Sequence, residues 1–398
     1  MDTFLKRELI LVKSDDSHSP LQVGQPFFFL ESETEVAIFE EPTIFLSEKY
    51  VFTRRALPST WEKVAYSLKS WFQFLQASEI HWRYADASIR LDFRDSYLSS
   101  ISANTGQVFG AKGVSDTMAV VRKFYQFSQN RGWYEGDLGA EGEDTDLPKV
   151  RPSSVIHPIS VSNLKKLINH LGPQASNRNG DLRPCRDRLI ADLGWVVGLR
   201  ISEVLSLTTF QFLSLSFDPS TPYVDLRLQV LGKGGKTRQC AIPTWLVIDV
   251  VEYINTERAA SLKSANGKKH TRNAQLFLAH ISSSRRGNPI SVDAVQSIIR
   301  AACFALGLIS TVQKQNTETF EVFEAKSADH SFHDLRHTYA VLTYHAEVKN
   351  GNPEPWKKIQ AQLGHSSLQT TIDIYLRHVH LFHQSPGLLN IRKMIDLY

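Results

Sequence analysis

YVDLRLQVLGKGGKTRQCAIP, residues 223–243, alternates apolar and polar side chains on both sides of a glycine-rich turn, the pattern of a β-hairpin. Almost everything around it follows a different period. Upstream, GWVVGLRISEVLSL (194–207) lies in a helical stretch covering 186–209, and ISVSNLKKLINHL (159–171) starts a helix with Ser160 as its cap. Downstream of Trp245 helical spacing resumes through 260, passes a basic loop (Lys263, Lys268, Lys269, Arg272), and the chain stays mostly helical to its end. The expected fold is mainly α, with a small β-hairpin or sheet set in a helical domain. Gly235-Lys236-Thr237 matches the end of a nucleotide phosphate loop. The first glycine of that motif would fall at Val230, however, and strand-turn-strand is the wrong context for it.

Further out, GDLGAEGEDTDLPKVRPSSVIHP (136–158) is rich in Gly, Pro, Ser and acid, and reads as a linker. Before it, Trp61, Val64, Ala65, Leu68, Trp71, Phe72 and Leu75 recur at three- and four-residue spacing, with Pro58-Ser59-Thr60 as the start signal. Helical patterns also cover about 90–100 and 114–131, the latter with Val120, Val121, Phe124, Tyr125 and Phe127. Most of the aromatics of this block are expected to be core. The first fifty residues instead alternate apolar runs with acid, and PFFFL (26–30), VAIF (36–39) and TIFL (43–46) read as short strands or extended segments. The organisation expected is an amino-terminal extension 1–52, a helical unit 53–135, the linker 136–158 and a second domain 159–398.

Composition narrows the class. With 398 residues, 42% hydrophobic and 22% charged, the chain is an ordinary globular protein of two or three domains. It has no apolar run long enough to span a bilayer and no signal peptide, so it reads as cytoplasmic. Three distant cysteines, Cys185, Cys240 and Cys303, supply neither a disulfide framework nor a zinc site. Charge is uneven. Residues 1–50 hold 4 Lys/Arg against 10 Asp/Glu, while 51–398 hold 41 against 31, so a polyanionic partner suits the larger part of the chain.

Four islands carry the chemistry. Arg200 stands in Gly198-Leu199-Arg200-Ile201-Ser202-Glu203, a glycine-marked turn into a helix. Lys233 and Lys236 stand on the hairpin turn. His333 and Arg336, in His333-Asp334-Leu335-Arg336-His337, are three apart and so share a helix face, where both can converge on one anion. Gly364-His365 is followed ten residues after the histidine by Tyr375. Singly each has an ordinary structural reading. His378, His380 and His383, with separations of two and three, fit no common metal-ligand pattern and read as surface residues.

In this order, Arg, Lys, His-x-x-Arg, Gly-His and Tyr resemble the catalytic domain of the tyrosine recombinases, the phage integrase family, over about residues 155–385. The 60–135 block resembles, more weakly, that family's helical core-binding domain. The resemblance implies a site-specific recombinase that cuts and rejoins duplex DNA through a 3′-phosphotyrosyl link on Tyr375 and a Holliday junction. It implies Arg200 and Arg336 as phosphate clamps, Lys233 as the acid for the leaving 5′ oxygen with Lys236 as its rival, and His333 in proton transfer. His365 would bond the scissile phosphate, Glu203 would orient its neighbours, and His337 would support from behind. Tyr339, Tyr344 and Tyr398 are alternative tyrosines without the Gly-His spacing. No cofactor is implied, neither ATP nor a divalent metal. The implied partners are double-stranded DNA at specific sites, three further copies of the chain in a tetramer, and accessory DNA-bending proteins. The amphipathic tail GLLNIRKMIDLY (387–398) is of the kind that docks on the next protomer in that family, and the implied location is cytoplasmic, at the nucleoid. The extra amino-terminal segment favours a mobile-element integrase. The rivals are a type IB topoisomerase-like enzyme and a DNA-bridging protein without catalysis.

Overall fold

The computed structural model describes residues 4–15, 20–53, 56–102, 106, 108–139, 157–232, 235–265, 274–316, 321–365 and 372. They divide into two units, one comprising the described residues up to 139 with 313–316 and 321–325, the other the remainder.

In the first unit the acidic start of the chain builds an antiparallel sheet of β1 (Glu8–Lys13), β2 (Pro26–Glu31) and β3 (Val36–Ile38), in that order, with Leu9 opposite Leu30 and Phe29 opposite Ile38. The strands expected at 26–30 and 36–39 are present. Thr43–Leu46, expected to be extended, is instead the end of helix α1 (Glu40–Leu46). Two glutamates in its first turn suit the positive end of a helix, and Pro42 lies early enough to cost it no hydrogen bond. Thr43 Oγ1 donates to Phe39 O at 2.8 Å, a bond to the carbonyl four residues back that a threonine hydroxyl can make in a helix.

Helices α2 (Pro58–Ala77), α3 (Ala87–Ser99) and α4 (Ala111–Asn130) complete the unit. All seven periodic positions of α2, from Trp61 to Leu75, are buried. Phe28, Phe39 and Phe45 join Leu68, Phe72 and Phe124 in one core, so sheet and helices are stabilised by the same burial. Two of its aromatics bond in series, since Trp71 Nε1 donates to Tyr125 Oη at 3.2 Å and Tyr125 Oη donates to Trp82 O at 2.7 Å.

The second unit opens with α5 (Val161–Leu171), whose cap Ser160 accepts from Asn163 N at 3.2 Å. Next come α6 (Arg186–Trp195), α7 (Ile201–Ser206) and α8 (Thr209–Leu213). The hairpin read from the sequence is β4 (Asp225–Leu231) and β5 (Thr237–Pro243), paired from Asp225 opposite Pro243 to Leu231 opposite Thr237. Leu228, Val230, Cys240 and Ile242 are its buried face. Helices α9 (Thr244–Tyr253), α10 (Ala259–Ser264) and α11 (Val292–Ala305) follow. A second two-stranded sheet, β6 (Ile309–Gln315) with β7 (Val322–Ala328), lies within a stretch that the sequence suggested was mostly helical. Neither strand alternates cleanly between buried and exposed positions, so no period of two announced it.

Helix α12 (Phe332–Lys349) and α13 (Pro355–Leu363) close the described chain. Ser331 caps α12 through Asp334, which accepts from both its backbone N (2.7 Å) and its hydroxyl (2.9 Å). Helix α12 packs along α6, where Gly194 lets Phe332 and Leu335 approach. All three cysteines are buried and free, and burial pushes their thiols upward, Cys185 to about 12 with help from Glu257. No described helix is long and apolar enough to cross a membrane.

Candidate active site

The chain leaves α6 through Gly198, whose φ of 75° belongs to the left-handed region. A Cβ there would lie 2.6 Å from Tyr339 Cδ1 and 2.7 Å from Leu363 Cδ2, so glycine alone lets this turn sit between α12 and α13. The turn delivers Arg200 to the start of α7. Glu203, in the first turn of that helix, reaches back to accept from Arg200 N at 2.9 Å and from Arg200 Nη1 at 2.9 Å. Arg200 Nη1 also lies 3.4 Å from Leu363 O, while its Nε and Nη2 have no partner among the described residues. Its side chain keeps 32% of its surface exposed.

Arg336, one turn into α12, is 1% exposed. Its Nη1 donates to Gly198 O at 2.5 Å and its Nη2 to Leu363 O at 2.7 Å. Glu203 Oε2 lies 3.8 Å from Arg336 Nη1, so the two arginines that the sequence spaces 136 residues apart meet at one carboxylate and one carbonyl. A third cation joins them. Arg238, on β5, grips Glu203 with both ends of its fork, Nη1 to Oε1 at 2.7 Å and Nη2 to Oε2 at 2.9 Å, and its Nε donates to Gln362 O at 3.1 Å. Burial alone would raise the Glu203 carboxyl. The hydrogen bonds from Arg238 and from the Arg200 backbone, with both guanidinium charges, hold it down at about 2.

Gly364 ends α13 in the left-handed conformation, φ 66° and ψ 41°, and turns the chain so that His365 Nε2 lies 3.2 Å from Arg336 Nη2. A guanidinium can only donate, so Nε2 accepts and the ring proton sits on Nδ1. Burial, then the charges of Arg336, Arg200 and Arg238, push this imidazole down to about 4, leaving it neutral at pH 7. His333 is exposed, yet partial desolvation and then the Arg336 charge lower it too, and its ring stands edge-on to His337 with centroids 4.4 Å apart.

The structure therefore brings Arg200, His333, Arg336 and His365 into one cluster. Lys233 and Tyr375 lie outside the described residues, as do the tail and His378, His380 and His383. Lys236 is exposed, and its carbonyl accepts from Gly232 N at 2.7 Å across the turn. Of the alternative tyrosines, Tyr339 is 8% exposed with its phenol pushed strongly upward by burial, and Tyr344 stacks on Trp356 at 4.3 Å. Among the described residues no group of three or more His, Cys, Asp or Glu could hold a metal ion. Sequence reading passed over Arg238 and Gln362. The signal for Arg238 was present, because alternation along β5 puts it in phase with the buried Cys240 and Ile242, where a charge calls for a partner.

Comparison with known proteins agrees with this geometry. The chain is 26% identical over 267 residues to the tyrosine recombinase XerD of Corynebacterium glutamicum, covering 67% of this chain and 70% of that one. It is 24% identical over 298 residues to XerD of Shewanella oneidensis, covering 71% and 78%. The solved structure of the XerH site-specific recombinase bound to palindromic difH substrate, a post-cleavage complex, shares the fold with a TM-score of 0.54 at 14% identity, over 83% of this chain and 80% of that one. The description "Phage integrase family" matches residues 159–380, more than half of the sequence. With Arg200, Arg336 and His365 assembled inside that span, the chain belongs to the phage integrase family and is a tyrosine recombinase.

Proposed function

We propose that this recombinase cleaves and rejoins duplex DNA at specific sites through a covalent bond between Tyr375 and a 3′ phosphate, as the integrase of a mobile element. The convergence of Arg200 and Arg336 on Glu203, with a neutral His365 against Arg336, carries the reading. Attack on a phosphodiester adds negative charge to the non-bridging oxygens. Two forked cations that never deprotonate are suited to that charge, and each such preorganised donor is worth on the order of 10²–10³ in rate.

In the step envisaged, the Tyr375 oxygen bonds to phosphorus as the bond from phosphorus to the 5′ oxygen breaks. His333 accepts the phenolic proton, and Lys233 donates a proton to the departing oxygen. A phenol with a pKa of about 10 needs neighbouring positive charge to attack at neutral pH, and the arginine cluster supplies it. The phosphotyrosyl bond conserves the energy of the broken linkage, so strand rejoining needs no nucleotide. Two pairs of such exchanges among four protomers on two sites would pass through a Holliday junction. The additional segment 1–52 favours a mobile-element role, and the substrate places the protein at the nucleoid.

The test is incubation with nicked duplexes tiled from the DNA flanking its own gene, in EDTA, followed by denaturing electrophoresis. Nicked substrate loses a short fragment by diffusion and traps the covalent product. A DNA-linked protein band that disappears in Tyr375→Phe is the expected result. Specific binding without any adduct would favour the non-catalytic bridging protein, and an adduct persisting in Tyr375→Phe would name another tyrosine. Lys233→Ala should regain cleavage on a 5′-bridging phosphorothiolate, whose sulfur leaves without a proton, whereas Lys236→Ala should need no such rescue.

A further inference from the structure

Three arginines share one carboxylate, and they are not equivalent. Arg238 spends every guanidinium nitrogen on the protein, two on Glu203 and one on Gln362 O. Arg336 is buried against two backbone carbonyls and His365. Arg200 gives Glu203 a single side-chain nitrogen and keeps two others without a partner among the described residues. A carboxylate accepts an arginine fork most strongly in its own plane, using both oxygens. That position on Glu203 is already taken by Arg238.

We infer that Arg238 is a positioning residue for strand cleavage: it occupies the bidentate face of Glu203, so that the carboxylate cannot capture the fork of Arg200, and it ties the hairpin to the turn that presents His365. The second half of the inference rests on the Nε bond to Gln362 O, three residues before His365, and on Gly364. A Cβ at that glycine would lie 2.8 Å from Arg238 Cδ, so the arginine shaft and the turn are in close register. Arg238 also stands five residues after Lys233 in the sequence, on the strand that follows that lysine's turn. It needs no contact with DNA to act. The inference rests on the function proposed above for the rate, while its electrostatic half, the Arg238 charge beside the His365 turn that it ties down, is independent of it.

The experiment compares the full chain with Arg238→Met, Arg238→Lys and the double variant Arg238→Met/Glu203→Gln. Single-turnover cleavage of a nicked duplex, equilibrium binding of the same duplex and NMR titration of the His365 imidazole are the readouts. Arg238→Met should slow cleavage on the order of 100-fold, as expected when a reacting cation is misplaced by about 1 Å, with affinity for DNA changed less than about 3-fold. The double variant, which frees Arg200 from a charged competitor, should recover at least 10-fold of that loss. Arg238→Lys, which keeps the charge but cannot bridge both oxygens, should fall between. The His365 titration should move to higher pH in Arg238→Met and stay near the parent in Arg238→Lys. Cleavage by Arg238→Met at the parental rate, or equal losses in rate and affinity with no recovery in the double variant, would overturn the inference. An unmoved titration would overturn its electrostatic half. A parent that forms no adduct would sink the proposed function instead, and the titration would still decide whether the Arg238 charge acts on His365.

Discussion

Arg200 and Arg336 perform one proposed task from opposite environments, and substitution should separate them. Arg336→Ala would leave Gly198 O without a donor in a buried place, Leu363 O with only the 3.4 Å contact from Arg200, and Glu203 without one of its three neighbouring cations. It should abolish cleavage and also cost roughly 2–4 kcal/mol in urea unfolding. Arg200→Ala leaves Glu203 gripped by Arg238, so the same loss of cleavage should come with a stability change below about 1 kcal/mol. The histidines make the site sensitive to acid. His365 is held near 4 when folded but titrates near 6.5 in an unfolded chain, so between those values the unfolded state binds more protons. Stability should therefore fall as the pH drops from 6.5 to 4. Glu203, held near 2, adds a further loss below about 4.5. Urea midpoints measured across this range check the sign, and His365→Gln should flatten the upper part of the curve. At this scale the sequence was legible in placing His333 and Arg336 on one helix, α12. It was silent on which arginine is buried and which half-open, because that depends on carbonyls of Gly198 and Leu363 brought in from distant segments.

Elements were legible in proportion to how cleanly one face is buried. Helix α2 and the hairpin β4–β5 each have a full apolar stripe, and both lie where their periods placed them. Helix α1 shows the opposite case. Four residues, TIFL, fit either period, and the Glu-Glu-Pro before them decided for helix. Strands β6 and β7 carry too little buried apolar surface to be read at all. The turn between α6 and α7 is where an element-level change should be most damaging. Gly198→Ala combines a left-handed backbone with two contacts under 3 Å, and should cost on the order of 3 kcal/mol while displacing the carbonyl that holds Arg336. Thermal unfolding and the adduct assay would register both effects. Ser331→Ala, which removes only the hydroxyl half of the α12 cap, should cost about 1 kcal/mol and leave the adduct assay nearly unchanged.

For the whole molecule, each of the two large cores draws on residues of its own unit, one between Phe4 and Leu138, the other between Ile159 and Leu342. Independent cores predict two calorimetric transitions in the full chain, and a single transition would contradict that independence. The charge asymmetry, acidic over the first fifty residues and basic beyond, was legible from the start, but the incorporation of that acidic segment into an aromatic core was not. If phosphates are the target of the basic excess, affinity for duplex DNA should drop at least 10-fold between 50 and 200 mM salt, measurable by fluorescence anisotropy. The three cysteines have a practical consequence. With all three native thiols sealed in a core and resistant to ionisation, the wild-type chain should stay silent to maleimides. One cysteine introduced on each unit's surface would then accept a dye without prior removal of the natural ones, and the distance between the two dyes could be followed in single molecules as the protein meets its DNA.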